Sequence, residues 1–401
     1  MTPMLRIVEP ESNTSPSRTS GFALFRLAFR PFYLLAATTA VLVMSVWLPV
    51  VLGHFQLAGS LPPVLWHAHE MLFGVISAAI IGFTLTAAKT WTNLQTPQGI
   101  YLGLLACLWC VTRIASIIGS LRIYSALDIL GLPLATAALL QVLLRANSRR
   151  NFLLAGVLVL LSIANIAFHG AALGLLSIPP IRVLYAAISL VIVLETIIAG
   201  RVIPAFSVAA NPGAREKLRP ASEVNVAVVT ALGLCLWVIN TCWFVSAPIL
   251  GFAAVLHAIR WLSWARIAPL NKPILWILHI SYAWIPLGLS LLAASQADLI
   301  AQSPAIHALT VGSMGGLVIG MMTRTARGHT GRVIQASAWE VVSYVSIATA
   351  AVIRVFGPLL LPQRYSASIL ISGLLWIFAF AIFLVVFTPW LVSKRLDGKA
   401  G

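Results

Sequence analysis

HEMLFGVISAAIIGFTLTAAKTWTN, residues 69–93, is an apolar run that opens on a histidine and carries a lysine near its far end. It aligns without gaps on HALTVGSMGGLVIGMMTRTARGHTG, residues 307–331. His69 matches His307, Gly74 matches Gly312, Gly82 matches Gly320, Ala88 matches Ala326, Thr92 matches Thr330, and Lys89 stands opposite Arg327. About twenty apolar residues are what a helix needs to cross roughly 30 Å of hydrocarbon. Each copy therefore reads as a membrane-spanning helix, and the chain contains that helix at least twice.

The same apolar length recurs on both sides of these copies. Punctuation by Pro, Gly and charge predicts helices near 31–53, 66–89, 99–119, 122–145, 152–175 and 179–203. A second set follows near 222–241, 244–262, 273–295, 304–326, 338–361 and 365–392. The least distinct division falls at 241–246. The expected fold is all-α, a polytopic membrane bundle of about twelve helices. The two aligned helices are the second and the tenth, a separation that suits three units of four helices. The sixth helix echoes them only in Gly200-Arg201.

Composition agrees. Hydrophobic residues make up 60% of the 401 and charged residues 9%, against roughly a quarter charged in a soluble chain. No loop is long enough for a soluble domain. The expected organisation is a flexible polar tail over 1–22, one membrane domain over 23–393, and a short basic tail over 394–401.

The formal charge of +16 would point to nucleic acid in a soluble protein. Here the cations lie between apolar runs, the pattern that orients membrane proteins, so nucleic acid is excluded and the lipid bilayer is the partner. One side holds Arg18, Arg26, Arg30, Lys89, Arg145, Arg149, Arg150, Arg215, Lys217, Arg219, Arg266, Lys272, Arg327, Arg332, Lys394 and Arg395. The other holds little beyond Arg113, Arg122, Arg182, Arg354 and Arg364. This asymmetry puts both termini in the cytoplasm. Cys107, Cys110, Cys235 and Cys242 all fall inside apolar helices and read as packing residues.

Ionisable groups inside a bilayer are costly and usually functional. By depth, His67, His69, His169 and His307 fall toward the outer side, and His54 lies in the first outer loop. His257, His279 and His329 fall toward the cytoplasm. His69 and His307 open even-numbered helices and so enter at comparable depth. Imidazole is a good ligand for haem iron and copper, and two facing histidines would hold a haem between helices. His67 is two residues from His69, roughly 200° around a regular helix, so the two do not face one metal. His67 and His169 are further metal candidates. Arg113 and Arg354 lie near the outer end, where haem propionates would need cations, although Arg113 has a competing partner in Asp128. Glu195, isolated in the middle of the sixth helix, suits a proton or ion path. Glu70 suits either a helix-start position or catalysis. Near the cytoplasm, Arg324 and His329, with His257 or His279, would make a secondary site for an anion, a quinone headgroup or another metal.

Five stretches together resemble the NnrS family: Arg26-Leu-Ala-Phe-Arg-Pro-Phe-Tyr33, Trp66-His-Ala-His-Glu-Met71, Gly200-Arg-Val-Ile-Pro-Ala-Phe206, His307-Ala-Leu-Thr-Val-Gly312, and Met322-Thr-Arg with Gly328-His-Thr-Gly-Arg332. They occur in order over nearly the whole chain. The resemblance implies a haem- and copper-containing protein of the bacterial inner membrane that helps cells tolerate nitric oxide. The architecture is also distantly similar to the catalytic subunit of haem–copper oxidases, where helices two and ten hold the low-spin haem. That likeness implies His69 and His307 as axial ligands. It breaks at helices six and seven, which hold no histidine for an active-site copper, and at helix ten, which lacks a second closely spaced histidine.

The leading expectation is thus a protein with b-type haem and copper that binds, senses or reduces nitric oxide or another diatomic ligand. It would be a membrane oxidoreductase if it turns over, with quinol as a possible electron donor and Glu195 assisting protons. Two other classes stay open: a proton-coupled secondary transporter, and a non-catalytic haem-based sensor.

Overall fold

The computed structural model describes residues 22–57, 59, 61–211, 220–240, 242–265, 267 and 271–398, without the side chains of 220–222. The tail before residue 22 lies outside the described residues, as do Arg18, Arg215, Lys217, Arg219 and Arg266 of the orientation count. Among the described residues the chain is helical, with one isolated bridge between Phe22 and Ser393.

Twelve helices follow one another: α1 Phe29–Val51, α2 Pro63–Thr92, α3 Ile100–Ile118, α4 Leu121–Arg145, α5 Arg149–Ala172, α6 Pro180–Ala210, α7 Pro220–Val238, α8 Trp243–Ala265, α9 Pro273–Gln296, α10 Gln302–His329, α11 Ala338–Leu360 and α12 Pro362–Val392. Eleven are long and apolar enough to cross a membrane, and α7 is apolar over the shorter stretch Glu223–Val238. This is a multi-pass membrane protein. In lipid every backbone polar group must be satisfied within the chain, which is why apolar runs of this length are helical. Pro63, Pro180 and Pro273 start their helices at the one position where a missing N–H costs nothing. Ser337 and Glu340 close a reciprocal capping box at the start of α11. The indistinct division at 241–246 resolves as a break after Val238. Asn240 takes a φ of 57° there, and the chain restarts at Trp243.

Each helix packs on the next, and α1 also packs on α12, closing the bundle. Helices two apart also touch: α1 with α3, α2 with α4, α6 with α8, α9 with α11, and α10 with α12. Helices α2, α6 and α10 meet one another at the centre.

The aligned stretches share a second property. Each helix is α-helical up to its histidine and then turns π-helical, over Glu70–Ile76 after His69 and over Ala308–Gly315 after His307. A π segment re-aims every later side chain and is frequent at functional sites. The matched glycines mark places where another helix approaches. A Cβ on Gly74 would lie 3.1 Å from Arg113 Nη1, and one on Gly82 would lie 3.0 Å from the Tyr33 ring.

Arg30 departs from its expected role as a loop cation. It is fully buried, and its Nη1 donates to the Leu391 and Ser393 carbonyls at 2.8 and 2.7 Å. A cation suits the end of α12 because the last carbonyls of a helix lack intrahelical donors. Ala23 N–H also donates to Val392 O at 2.8 Å. Both ends of the membrane domain thus meet at one face, which the sequence reading assigns to the cytoplasm.

Candidate functional site

At the opposite face, the first turns of α2 carry two histidines that point different ways. Trp66 anchors this turn, with Nε1 donating to Ser116 Oγ on α3 at 3.2 Å. His69 is fully buried and turns toward α4 and α5. His67 turns toward α1, where it stacks on Trp47 with centroids 4.3 Å apart. The separation of roughly 200° read from the sequence is thus realised.

Around His69 the polar groups form one network. The Tyr124 hydroxyl donates to Glu70 Oε1 at 2.7 Å and lies 2.7 Å from His69 Nδ1. Asn165 Nδ2 donates to Asp128 Oδ2 at 2.8 Å, which leaves Asn165 Oδ1 facing His69 Nε2 at 2.9 Å. His169 Nε2 lies 3.0 Å from Asp128 Oδ2, and its Nδ1 lies 2.9 Å from Ser125 Oγ. Arg113 donates to Glu70 Oε2 at 2.8 Å and pairs with Asp128 Oδ1. Two carboxylates, Glu70 and Asp128, thus share one guanidinium. A buried group of that composition calls for one more positive charge, because an unbalanced buried charge is expensive.

His69, Asp128 and His169 each present one ligand-type atom, all within 4.8 Å of one another and all buried. Asp128 Oδ2 lies 3.0 Å from His169 Nε2 and 3.4 Å from His69 Nε2. With metal–ligand bonds of 2.0–2.1 Å, a four-coordinate site has ligand-to-ligand edges of about 3.3 Å. The residues fit a metal cation. Beside them lies a cavity of about 250 Å³, lined by Phe73, Trp109, Arg113, Asp128 and Asn165 among others.

His307 belongs to a different group. Its Nδ1 donates to the Ser303 carbonyl at 2.7 Å, which fixes the hydrogen there and leaves Nε2 as the ligating nitrogen. Arg354 on α11 donates to Ser303 Oγ at 3.3 Å and is close enough to act electrostatically on both His307 and His67. His67 Nδ1 and Arg354 Nη1 are buried with no hydrogen-bond partner, although Tyr365 lies near Arg354. Unsatisfied buried polar atoms are rare and ask for a reason. His67, His307 and Arg354 thus form a second group of nitrogen donors, near enough to act on one another electrostatically.

The structure therefore brings His67 together with His307, and His69 together with His169, where depth alone pairs His69 with His307. Arg113 sits with Glu70 and Asp128, the competing role that the sequence allowed, so its terminal nitrogens are already committed. Glu70 is a member of the network and not a helix-start residue. Glu195 accepts from Ser313 Oγ at 2.8 Å and lines a separate cavity at the centre of the bundle.

Toward the face of the chain ends, His257 lies 2.6 Å from the Tyr282 hydroxyl and 2.9 Å from Thr230 Oγ1. His279 Nε2 lies 2.9 Å from Ser207 Oγ, His329 packs on Phe29, and Arg324 sits 3.7 Å above the Phe206 ring. Among the described residues these histidines do not gather into a metal-ligand group; His69, Asp128 and His169 do. Sequence reasoning misses Tyr124 and Asn165, and meets Asp128 only as a partner for Arg113. Their signal is the spacing of Tyr124 with Asp128 and of Asn165 with His169, each pair four residues apart on an otherwise apolar helix.

A family model described as NnrS protein matches residues 23–395, nearly the whole chain. No curated protein matches it.

Proposed function

The chain belongs to the NnrS family, and from that premise we propose that it binds nitric oxide at a metal centre and holds haem and copper within its bundle. The observation that carries the reading is the convergence of His69, Asp128 and His169 from α2, α4 and α5. Copper is assigned to these three residues, and b-type haem to His67 and His307 with Arg354 meeting a propionate. Copper bound by two imidazoles and a carboxylate would offer a further coordination position to a diatomic ligand.

The protein's own residues have separable tasks. Arg113 balances Glu70 and Asp128, and so holds the Asp128 carboxylate toward both histidines. Ser125 fixes the His169 ring, and Tyr124 with Asn165 fixes the His69 ring, the supporting role that neighbours of metal ligands usually play. Trp109 and Phe73 form the aromatic side of the small cavity. The proposed location is the bacterial inner membrane, with both termini in the cytoplasm.

The test is metal analysis and optical spectra of the detergent-purified protein, oxidised, reduced and after nitric oxide addition. Loss of copper alone in His69→Ala and His169→Ala, and of haem alone in His67→Ala and His307→Ala, is the expected result. A folded, metal-free protein that drives substrate-dependent proton flux in liposomes would replace this reading with transport. A holoprotein that binds nitric oxide without turnover with any electron donor would be a sensor.

A further inference from the structure

At the centre of the bundle, where α2, α6 and α10 meet, lies a partly open cavity. Its walls are almost wholly apolar, with Ile76, Ile80, Leu317 and Met321 among them. Two groups break that character. Glu195 reaches it from the middle of α6, about 22 Å from either end at 1.5 Å per residue. Its Oε2 accepts from Ser313, and the residue remains partly accessible. Tyr33 reaches it from α1. Its ring is 1% exposed, and its hydroxyl lies beside Thr325.

These features restrict the occupant. Apolar walls at mid-membrane depth select a lipid-soluble molecule. A carboxyl group at this depth is costly beside a pure hydrocarbon and favourable beside oxygen. Apolar pockets with a few polar groups are the usual form of small-molecule sites. An acyl chain would offer the carboxyl group no polar partner.

We infer that the central cavity binds a membrane-soluble quinone or hydroquinone, its ring among the apolar side chains and one of its oxygens at Glu195. The copper and haem assignments are not needed for this site, because none of their ligands lines it. The small residues facing the space, Ala79 and Ala199, leave room for the ring.

The test is titration of the full-length protein in lipid nanodiscs with decylubiquinone, against empty nanodiscs, with an azido-quinone used to map the site. Saturable binding is expected, weakened by about fivefold or more in Glu195→Gln. Ala199→Phe, which fills the cavity, is expected to abolish it. Cross-links in the wild-type protein should fall within 191–203 and 317–322, a readout that does not depend on any variant folding. Uptake equal to that of empty nanodiscs would overturn the proposal. So would saturable binding indifferent to the substitutions, or cross-links elsewhere. An acyl-chain photoprobe that labels the same walls and resists displacement by decylubiquinone would assign the cavity to lipid instead.

Discussion

Asp128 on α4 directs its Oδ2 at Nε2 of His169 on α5, 3.0 Å away, while its other oxygen pairs with Arg113. One carboxylate thus serves both as a prospective ligand and as half of a buried ion pair. The two roles respond differently to substitution.

Asp128→Asn keeps the side chain's shape and removes its charge. Breaking one partner of a buried ion pair costs about 3–5 kcal/mol, because the other charge is stranded. Arg113 retains Glu70, so the lower end of that range is expected, read as a fall in thermal midpoint in detergent. Copper content should fall as well. Adding Arg113→Met strands the buried Glu70 carboxylate and should lower stability further, again without copper. If Asp128→Asn alone keeps its full copper content, Asp128 is a structural partner only.

The grouping of the histidines makes the two metal centres separable. His69→Ala is expected to leave the haem spectrum intact, because its ring faces Tyr124, Asn165 and His169. His307→Ala is expected to abolish or shift that spectrum and to leave copper bound. A single haem held by His69 and His307 together would give the opposite result for His69→Ala. Optical spectra and elemental analysis of the same preparations decide between the pairings.

Much of the bundle could be read from the sequence because the bilayer sets a length. The twelve expected segments fall on the twelve helices, since an apolar run must be helical to cross lipid. The pairing of histidines could not be read in this way. Apolar length fixes depth and says little about direction around the helix axis, and the π-helical turns after His69 and His307 carry no sequence pattern that marks them. His67 and His69 differ by two positions and yet serve different groups. Arg30 was assigned to a loop because charge near a helix end is commonly solvated, but the α12 carbonyls supplied a buried partner. The polar pairs Tyr124 with Asp128 and Asn165 with His169 were legible in spacing, and their convergence needed the packing of α4 on α5.

Gly82 is where Tyr33 lies against α2, with ring atoms 3.0 Å from the position a Cβ would take. Small residues let helices approach closely in membranes. Gly82→Ala should push the ring aside and cost about 1–3 kcal/mol as overpacking. Gly103, whose nearest neighbours lie 3.9 Å from such a Cβ on the Phe25 ring, is the control. Gly103→Ala should be neutral or slightly stabilising, as alanine favours the helix by about 1 kcal/mol. Thermal unfolding of both variants in one detergent checks the contrast.

Arg30 holds the end of α12 against the start of α1, donating to the Leu391 and Ser393 carbonyls. Arg30→Leu retains bulk and removes the donors, leaving those carbonyls without a cation. A hydrogen bond from a charged donor contributes about 1.5–3 kcal/mol, so a loss of that order is expected. The damage should be local. Amide exchange should rise near 390–396 and 22–28, while the His69 network at the opposite face keeps its metal content. Arg30→Lys should recover only part of the loss, because a single ammonium lacks the flat guanidinium that spans several carbonyls. Unchanged exchange at the chain ends in Arg30→Leu would show that the bridge between Phe22 and Ser393 suffices to hold them.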